Sequence, residues 1–321
     1  MLLRLLRRCL VRRFSSTYYD IGPAGAAIFL AGMGRSGTTW VMDVMNYRKS
    51  YRTVFEPFIA SKVSEAFCFK IHHYIRPDTA DPVLEKQARL ILSGKIKNPW
   101  VDSGYNRKVL YRKRIIKDIR CNLMLGWLKN LLPDMPIILL VRHPLAIAHS
   151  WENLKMLDED PMSNDRTDFE LIISQKALLN DFPVVRQAAK EIDKSSIMET
   201  IIFIWCVLYY VPFNQLRPGD AYMITYEELM INPEPTFEGL FNYLGDKFNW
   251  DDIKPLLGIS SVTNFLKRDF LEKDDVLFGW KSRYGGEELR RADSILRHFG
   301  LENVYDPDGL PSNHMQSFSD S

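Results

Sequence analysis

The chain has 321 residues, of which 46% are hydrophobic and 26% are charged, a globular composition that excludes a disordered or low-complexity protein. Its 42 basic and 40 acidic side chains leave a formal charge of +2, so no general basic field favours nucleic acid as the main partner. The four cysteines, Cys9, Cys68, Cys121 and Cys206, form no CxxC pair. They therefore indicate neither a zinc site nor a disulfide framework, and they favour a reducing compartment.

Residues 1–19 differ from the rest of the chain, because they carry five arginines and no acidic residue, with leucines between the arginines. Arginine interrupts every apolar run before it reaches about seven residues, which excludes a secretory signal peptide. Two interpretations stay open: a basic amphipathic segment that is disordered or lies on an anionic membrane surface, or an organellar presequence. We therefore expect a cytoplasmic protein with peripheral membrane contact through this segment, with organellar targeting as the alternative.

Short apolar runs alternate with helical stretches along the following chain. The runs that we predict as strands are residues 26–33, 52–57, 136–141 and 221–225. Helices are predicted for residues 38–47 and from Pro144, which suits a first helical position, through Trp151. This alternation predicts an α/β fold, a P-loop-like three-layer sandwich with a central parallel sheet flanked by helices.

Three later stretches carry expectations of their own. Residues 200–216 form the longest uncharged stretch, but its 17 residues include a proline, an asparagine and a glutamine. We therefore expect a buried core helix there rather than a membrane span. Residues 158–168 are the most loop-like part of the chain, and the tail after Tyr305 is expected to be frayed.

A glycine-rich loop, GMGRSG, lies between the first predicted strand and the first predicted helix, where backbone amides and the helix dipole bind phosphate. It matches the dinucleotide pattern GxGxxG through Gly32, Gly34 and Gly37, and Glu56 follows Gly37 by 19 residues (56 − 37). It also half-matches the nucleoside-triphosphate loop GxxxxGK[ST]. In that template Thr38 stands where the phosphate-reaching lysine belongs, so such an enzyme would lack its main charge clamp.

A third template places the cation inside the loop as Arg35, followed by Ser36, Gly37, Thr38 and Thr39. This arrangement resembles the 5′-phosphosulfate loop of sulfotransferases that use 3′-phosphoadenosine 5′-phosphosulfate (PAPS). A second motif favours it, because Arg142 closes the third predicted strand and Ser150 follows eight residues later (150 − 142). In sulfotransferases, an arginine and a serine so placed bind the 3′-phosphate of PAPS. A dehydrogenase has no use for this pair, and a kinase would need an acidic residue there to hold Mg²⁺.

Other residues lie at positions that are similar to those of known sulfotransferases. Glu56 follows Arg35 by 21 residues (56 − 35), and Lys117 precedes Arg142 by 25 residues (142 − 117). Both placements resemble tyrosylprotein sulfotransferases, and the Phe-Glu-Pro context of Glu56 resembles Golgi carbohydrate sulfotransferases. Tyr226, in a YEEL segment, and Lys281, after a tryptophan, also lie in elements similar to those of the family.

The resemblance spans roughly residues 26–304 and implies one sulfotransferase domain over residues 20–305, between the basic segment 1–19 and a flexible tail, 306–321. It implies that PAPS is bound by Gly34, Arg35, Ser36, Gly37, Thr38, Thr39, Arg142, Ser150, Tyr226 and Lys281. Sulfuryl transfer develops negative charge on the leaving bisphosphate, so Arg35 and Lys117 are the expected catalytic cations. Lys117 as a solvated surface lysine stays an alternative.

The acceptor hydroxyl must lose a proton, which needs a general base. Many cytosolic small-molecule sulfotransferases use a histidine just after the lysine, but here Asp118 and Ile119 follow Lys117. Glu56 is therefore the expected base, and a structural carboxylate that pairs with a loop arginine stays the alternative. No metal is expected, because cationic side chains replace Mg²⁺ in this chemistry.

The acceptor that we favour is a carbohydrate hydroxyl, with a tyrosine-bearing protein or a small metabolite alcohol as alternatives. Two other classes of protein stay open. One is an NAD-dependent oxidoreductase that uses the GMGRSG loop. The other is a non-enzymatic protein that binds adenosine bisphosphate or a membrane.

Overall fold

The computed structural model describes residues 19–102, 106, 108–156, 165–257 and 273–312. Its centre is a five-stranded sheet in which all strands run parallel, in the order β3-β5-β2-β6-β7. A second, two-stranded parallel sheet pairs β1 with β4. The strands are β1 (Tyr19–Asp20), β2 (Ala27–Gly32), β3 (Arg52–Phe55), β4 (Leu110–Tyr111), β5 (Arg114–Asp118), β6 (Ile137–Val141) and β7 (Tyr222–Thr225).

Helices connect the strands and cover the sheet. They are α1 (Thr38–Met45), α2 (Pro82–Leu92), α3 (Leu125–Leu131), α4 (Pro144–Met156), α5 (Asp165–Ile173), α6 (Lys176–Asp181), α7 (Pro183–Ala188), α8 (Ile197–Gln215), α9 (Tyr226–Ile231), α10 (Pro233–Tyr243), α11 (Trp250–Ile253), α12 (Lys273–Phe278), α13 (Trp280–Arg283) and α14 (Gly286–His298). Short 3₁₀ turns occupy Ala24–Ala26, Ser64–Ala66, Asn122–Met124 and Lys254–Leu256.

The sheet separates two apolar cores, because successive side chains of a strand point to opposite faces. In β2, Phe29 and Ala31 pack into the core that contains α3, α4 and α8, whereas Ile28 and Leu30 pack into the core that contains α1 and α10. Strand β6 divides its residues in the same way. Both faces of the sheet are therefore covered, which confirms the predicted α/β three-layer sandwich with a central parallel sheet.

Strand β5 was not among the four predicted strands, although it lies next to the centre of the sheet. Its sequence, RIIKD, carries three charged residues, yet all five residues are buried. Arg114 is accommodated because its guanidinium donates hydrogen bonds to the Asp20 carboxylate, at 2.6 Å from Nε. Because paired charges can be buried, this strand lacks the continuous apolar run by which the other buried strands were predicted.

Helix α8 confirms the expectation of a buried core helix. Among the described residues it is the one helix long and apolar enough to cross a membrane, but 78% of its most apolar window lies inside the protein. Ser196 caps its N-terminus by accepting a hydrogen bond from the Glu199 amide. The helix then packs against the same sheet face as α4.

Several predicted boundaries differ from the structure. Helix α4 continues past Trp151 to Met156, and α5 begins at Asp165 within the predicted loop 158–168, whose earlier residues lie outside the described residues. The expected fraying after Tyr305 is wrong for residues 306–312, because Tyr305 pairs with Pro311 and the Ser312 amide bonds the Val304 carbonyl. Tyr19, placed in the basic segment 1–19, belongs to β1.

Candidate functional site

The predicted site residues meet at the carboxyl edge of the five-stranded sheet. The glycine-rich loop follows β2, Glu56 follows β3, Lys117 lies near the end of β5, Arg142 follows β6, and Tyr226 follows β7. Because all five strands are parallel, their carboxyl ends meet at one edge, where open α/β sheets bind ligands. The sheet therefore brings together residues that are far apart in the chain, such as Arg35 and Tyr226, which are separated by 191 positions (226 − 35).

The loop turns tightly between β2 and α1. Gly37 has a φ of 94°, and a Cβ atom placed there would lie 2.6 Å from the ring of Tyr226. Arg35 has a φ of 71°, which is unusual for a residue with a side chain and typical of functional turns. The hydroxyl of Ser36 donates to the Met33 carbonyl at 2.7 Å. This hydroxyl therefore supports the turn.

Arg35, Ser150 and Arg142 form one hydrogen-bonded cluster beside the loop. The Nε of Arg35 donates to the Ser150 hydroxyl at 3.0 Å, and a terminal nitrogen of Arg142 donates to the Arg35 carbonyl at 2.9 Å. Ser150 reaches the loop because helix α4 begins at Pro144, directly beyond the end of β6, and places the serine two turns into the helix. The glycine-rich loop and the Arg142–Ser150 motif are thus in contact.

The guanidinium of Arg142 lies over the ring of Tyr226, 4.5 Å from its centroid, and donates to the Val276 carbonyl at 2.7 Å. Its Nε is buried and has no hydrogen-bond partner within the described parts of the chain. An orphaned buried donor is costly, and an anionic ligand at this position would satisfy it. The donor set at this end of the site therefore fits a phosphate group.

Glu56 and Lys117 meet because β3 and β5 are neighbours and Phe55 is in register with Lys117. The Nζ of Lys117 lies 2.5 Å from Oε1 of Glu56, and Arg120, which was not predicted, places a terminal nitrogen 2.6 Å from Oε2. Glu56 is 4% exposed and Lys117 is 3% exposed, so these are buried ion pairs rather than surface contacts. Glu56 also has a positive φ of 41°.

Burial and neighbouring charges together determine the ionisation of this cluster. Burial acts to raise the pKa of Glu56, but Lys117 and Arg120 outweigh it, and the pKa lies below its usual value. Burial and then the charge of Glu56 raise the pKa of Asp118, whose carboxylate accepts hydrogen bonds from the amides of Phe58 and Arg120. Glu56 is therefore a fixed carboxylate with a low basicity as long as both cations contact it.

Helix α8 contributes two side chains that sequence analysis assigned to the core. The Tyr209 hydroxyl donates to the Leu140 carbonyl at 2.8 Å and accepts from the Met33 amide at 3.1 Å. The Trp205 indole donates to the Arg142 carbonyl at 2.9 Å. These residues fix the ends of β2 and β6 beneath the loop. Their spacing of four residues, which places two polar ring groups on one helix face, is the signal that could have identified them.

Of the remaining predicted residues, three lie at the loop and Lys281 does not contact it within the described residues. Thr38 and Thr39 begin α1 directly after the loop, and a Cβ on Gly34 would lie 3.3 Å from Trp151. Lys281 is exposed, and its contacts within the described residues are with the rings of Phe278 and Trp280 rather than with the loop.

Lys281 lines a cavity of about 550 Å³ beside His143, the residue that follows Arg142. Its charge acts electrostatically on His143.

The geometry disfavours the dinucleotide interpretation of the loop. In that fold, the acidic residue that binds ribose ends the strand next to the loop strand. Here β5 lies between β2 and β3, and both oxygens of Glu56 are held by cations. Within the described ranges, no three histidine, cysteine or acidic residues are grouped so that they could hold a metal ion.

No protein-family model matches the chain, and no curated protein sequence is similar to it. In structure the chain is similar to solved sulfotransferases. Mouse sulfotransferase SULT7A1 complexed with PAP aligns over 96% of this chain and 92% of its own, at 12% identity and a TM-score of 0.49.

A sulfotransferase domain from the curacin biosynthetic pathway aligns over 87% of this chain and 99% of its own, at 15% identity and a TM-score of 0.48. Retinol dehydratase, in complex with androsterone and the inactive cofactor PAP, aligns over 93% of this chain and 88% of its own, at 14% identity and a TM-score of 0.42.

Proposed function

We propose that the protein is a sulfotransferase that transfers the sulfuryl group of PAPS to an acceptor hydroxyl. The observation that carries this proposal is the cluster at the carboxyl edge, where Arg142 keeps a buried donor that has no partner among the described residues, beside the phosphate-type loop. Arg35 and Ser150 complete that cluster. A loop at a helix N-terminus and a separate strand-end arginine suit a ligand with two phosphate groups, as PAPS has.

The reaction requires positive charge beside the leaving phosphate oxygen and a base beside the acceptor hydroxyl. The bond between sulfur and the bridging phosphate oxygen breaks, and the electron pair stays on the leaving adenosine 3′,5′-bisphosphate. Arg35 and the loop amides stabilise the 5′-phosphate as this charge develops, and Lys117 acts at the bridging oxygen. The acceptor oxygen forms the new bond to sulfur, and its proton passes to Glu56.

The acceptor class that we propose is a carbohydrate hydroxyl. The Phe-Glu-Pro context of Glu56 and the acidic base in place of a histidine support it. A tyrosine-bearing protein and a small metabolite alcohol are the other classes of hydroxyl to be compared. We propose a cytoplasmic location with membrane contact through residues 1–19.

An acceptor screen with radiolabelled PAPS tests the reaction, and calorimetry with adenosine 3′,5′-bisphosphate and NADH tests the cofactor. We expect binding of the bisphosphate, no binding of NADH, and label transfer to at least one carbohydrate. Binding of NADH alone would replace the proposal by an oxidoreductase. Binding of the bisphosphate without transfer to any of the three acceptor classes would indicate a binding protein.

A further inference from the structure

Glu56 has two cationic partners, while the proposed reaction requires one of them elsewhere. Lys117 contacts Oε1 and Arg120 contacts Oε2, so neither oxygen is free to accept a proton. To stabilise the leaving oxygen of the donor, Lys117 must direct its ammonium group away from Glu56. If Lys117 were its only anchor, the buried carboxylate would rotate or take up a proton before the acceptor arrives.

We infer that Arg120 is a positioning residue that anchors the Glu56 carboxylate while Lys117 transfers its ammonium contact from Glu56 to the donor. This inference rests on the proposed function and adds a residue that the sequence motifs did not identify. It assigns different tasks to the two cations: Lys117 moves between the base and the leaving group, and Arg120 stays on the base.

The side chains suit these tasks. Arginine presents a planar group that remains charged in proteins, whereas lysine carries a compact charge on a flexible stem. The side chain of Arg120 is 16% exposed, and its backbone amide donates to the Asp118 carboxylate at 2.9 Å, shortly after β5. The Nζ of Lys117 lies 4.4 Å from the centroid of Phe55, which allows it to swing over an aromatic face.

Other groups around the carboxylate have fixed partners. Asp118 accepts two backbone hydrogen bonds, and the Trp100 indole donates to the Glu56 carbonyl rather than to its carboxylate. Asp168 interacts electrostatically with Arg120, and His72 lies 3.5 Å from Asp168. Burial, and then the charges of Asp118 and Glu56, raise the pKa of Cys121. Among these groups, Lys117 and Arg120 alone contact the Glu56 carboxylate.

The order of events follows from the charges. When the ammonium of Lys117 engages the bridging oxygen, Oε1 of Glu56 becomes available and its basicity rises, because the nearer cation has left. The acceptor O–H donates to Oε1, its proton passes to that oxygen, and its electron pair forms the bond to sulfur. The bond from sulfur to the bridging oxygen breaks at the same time, and the bisphosphate leaves with that electron pair.

The test uses the full chain with PAPS and the best acceptor of the screen. Arg120→Met is expected to lower kcat by about 10²-fold through misplacement of the base, while KM for PAPS is unchanged. The acid limb of the kcat/KM profile should move to higher pH, because Glu56 has lost a cation that lowers its pKa. Arg120→Lys should restore part of kcat and return the acid limb toward that of the parent.

A matched control is Arg291→Met, which removes an ion pair of 2.7 Å between α14 and Glu199 of α8, away from the loop. It should lower thermal stability without changing kcat or the pH profile. Parent kcat and an unmoved acid limb in Arg120→Met would overturn the inference and leave sulfuryl transfer standing.

Failure of the parent enzyme to transfer sulfate would overturn both the inference and the proposed function. If Arg120→Met does not fold, Arg120→Lys decides, because a kcat equal to that of the parent would overturn the inference and a lower one would support it.

Discussion

Arg142 illustrates how a single residue can be both well held and incompletely satisfied. Its backbone carbonyl is fixed by Trp205, its guanidinium covers Tyr226, and two of its nitrogens bond backbone carbonyls. The buried Nε is left without a partner among the described residues, and such a group costs roughly 1–3 kcal/mol. An anion bound here would recover that free energy, which makes the residue a candidate for strong discrimination between ligands.

Replacement of Arg142 by alanine should weaken binding of adenosine 3′,5′-bisphosphate at least about tenfold, since a charge-assisted hydrogen bond contributes roughly 1.5–3 kcal/mol. Ser150→Ala should have a smaller effect, because Ser150 contributes a neutral hydroxyl that already contacts Arg35. Calorimetry with adenosine 5′-monophosphate, which lacks the 3′-phosphate, is the control. Equal weakening of both ligands would show that Arg142 does not bind the 3′-phosphate.

Glu56→Gln should preserve donor affinity and lower the rate roughly 10²–10⁴-fold, because glutamine cannot take up the acceptor proton. The loss should shrink with more acidic acceptors, since a hydroxyl that ionises readily needs less help. Rates across an acceptor series measure this dependence. A variant whose rate loss is independent of acceptor acidity, with weaker donor binding, would show that Glu56 is structural.

The candidate site residues were predicted from their resemblance to sulfotransferase motifs, and the parallel sheet brings those that lie at its strand ends to one edge. Arg120 could not be predicted in the same way. It lies in a basic stretch, RKRIIKDIR, in which nothing distinguishes the arginine that reaches Glu56 from Arg112, which faces solvent, or from Arg114, which is buried against Asp20. The partner of Glu56 depends on the order β3-β5, which the spacing of motifs does not contain.

At the scale of elements, the loop and α9 are packed against each other through Gly37 and Tyr226. A Cβ at position 37 would meet the tyrosine ring at 2.6 Å and would also require a φ of 94° from a residue with a side chain. Displacement of this ring would disturb Arg142, which lies over it. The loop, β6 and β7 are therefore coupled through one aromatic ring.

Gly37→Ala is expected to lower both the melting temperature and the affinity for adenosine 3′,5′-bisphosphate. Gly219→Ala is the matched control, because Gly219 has a φ of 80° with no atom within 4 Å of the added Cβ. The control should show only the strain of a left-handed alanine, about 1–2 kcal/mol, without a change in affinity. Unchanged affinity in Gly37→Ala would contradict the coupling between the loop and Arg142.

Helix α8 shows why an element can be predicted correctly and its contribution missed. Its uncharged sequence indicated a core helix, and most of it packs as one. Tyr209 and Trp205 use their polar atoms on backbone groups of β6 and the loop, a contact that depends on the depth and rotation of the helix against the sheet. Hydrophobic pattern determines which face is buried but not which carbonyl a buried hydroxyl meets.

At the scale of the whole molecule, the stability of the protein should depend on two neutral histidines. Burial, then Arg142 and Lys281, lowers the pKa of His143 from 6.5 to about 3. Burial and Lys70 lower the pKa of His73 to about 4. Both histidines bind protons more readily when the chain is unfolded. The free energy of unfolding should therefore fall as pH decreases below about 6.5, by up to about 1.4 kcal/mol per pH unit for each.

Buried carboxylates with a raised pKa, such as Glu227, act in the opposite direction, so the parent and a variant must be compared. His143→Phe keeps a ring that can stack on Trp280, where the rings are now 4.3 Å apart at 12°. Denaturant unfolding at several pH values should show a shallower pH dependence in this variant. A slope equal to that of the parent would mean that His143 is not neutral in the folded protein.

Deletion of residues 1–18 should leave the melting temperature almost unchanged, because arginines interrupt every apolar run of this segment and such a pattern cannot join an apolar core, while Tyr19 of β1 is retained. Binding to anionic lipid vesicles, measured by co-sedimentation, should decrease, because five arginines are removed. Vesicles of neutral lipid are the control. A large fall in melting temperature would show that this segment stabilises the domain.

The order of strands has a consequence for the synthesis of the protein. Strand β2 ends at Gly32 and pairs with β5 and β6. It does not pair with β3 or β4, the two strands that follow it directly in the chain. Its first sheet partner, β5, is complete only when residue 118 has left the ribosome, 86 residues after the end of β2 (118 − 32). During this interval a fully apolar strand has no hydrogen-bonding neighbour. Nascent chains that stall early would expose it, which makes them candidates for chaperone binding or aggregation.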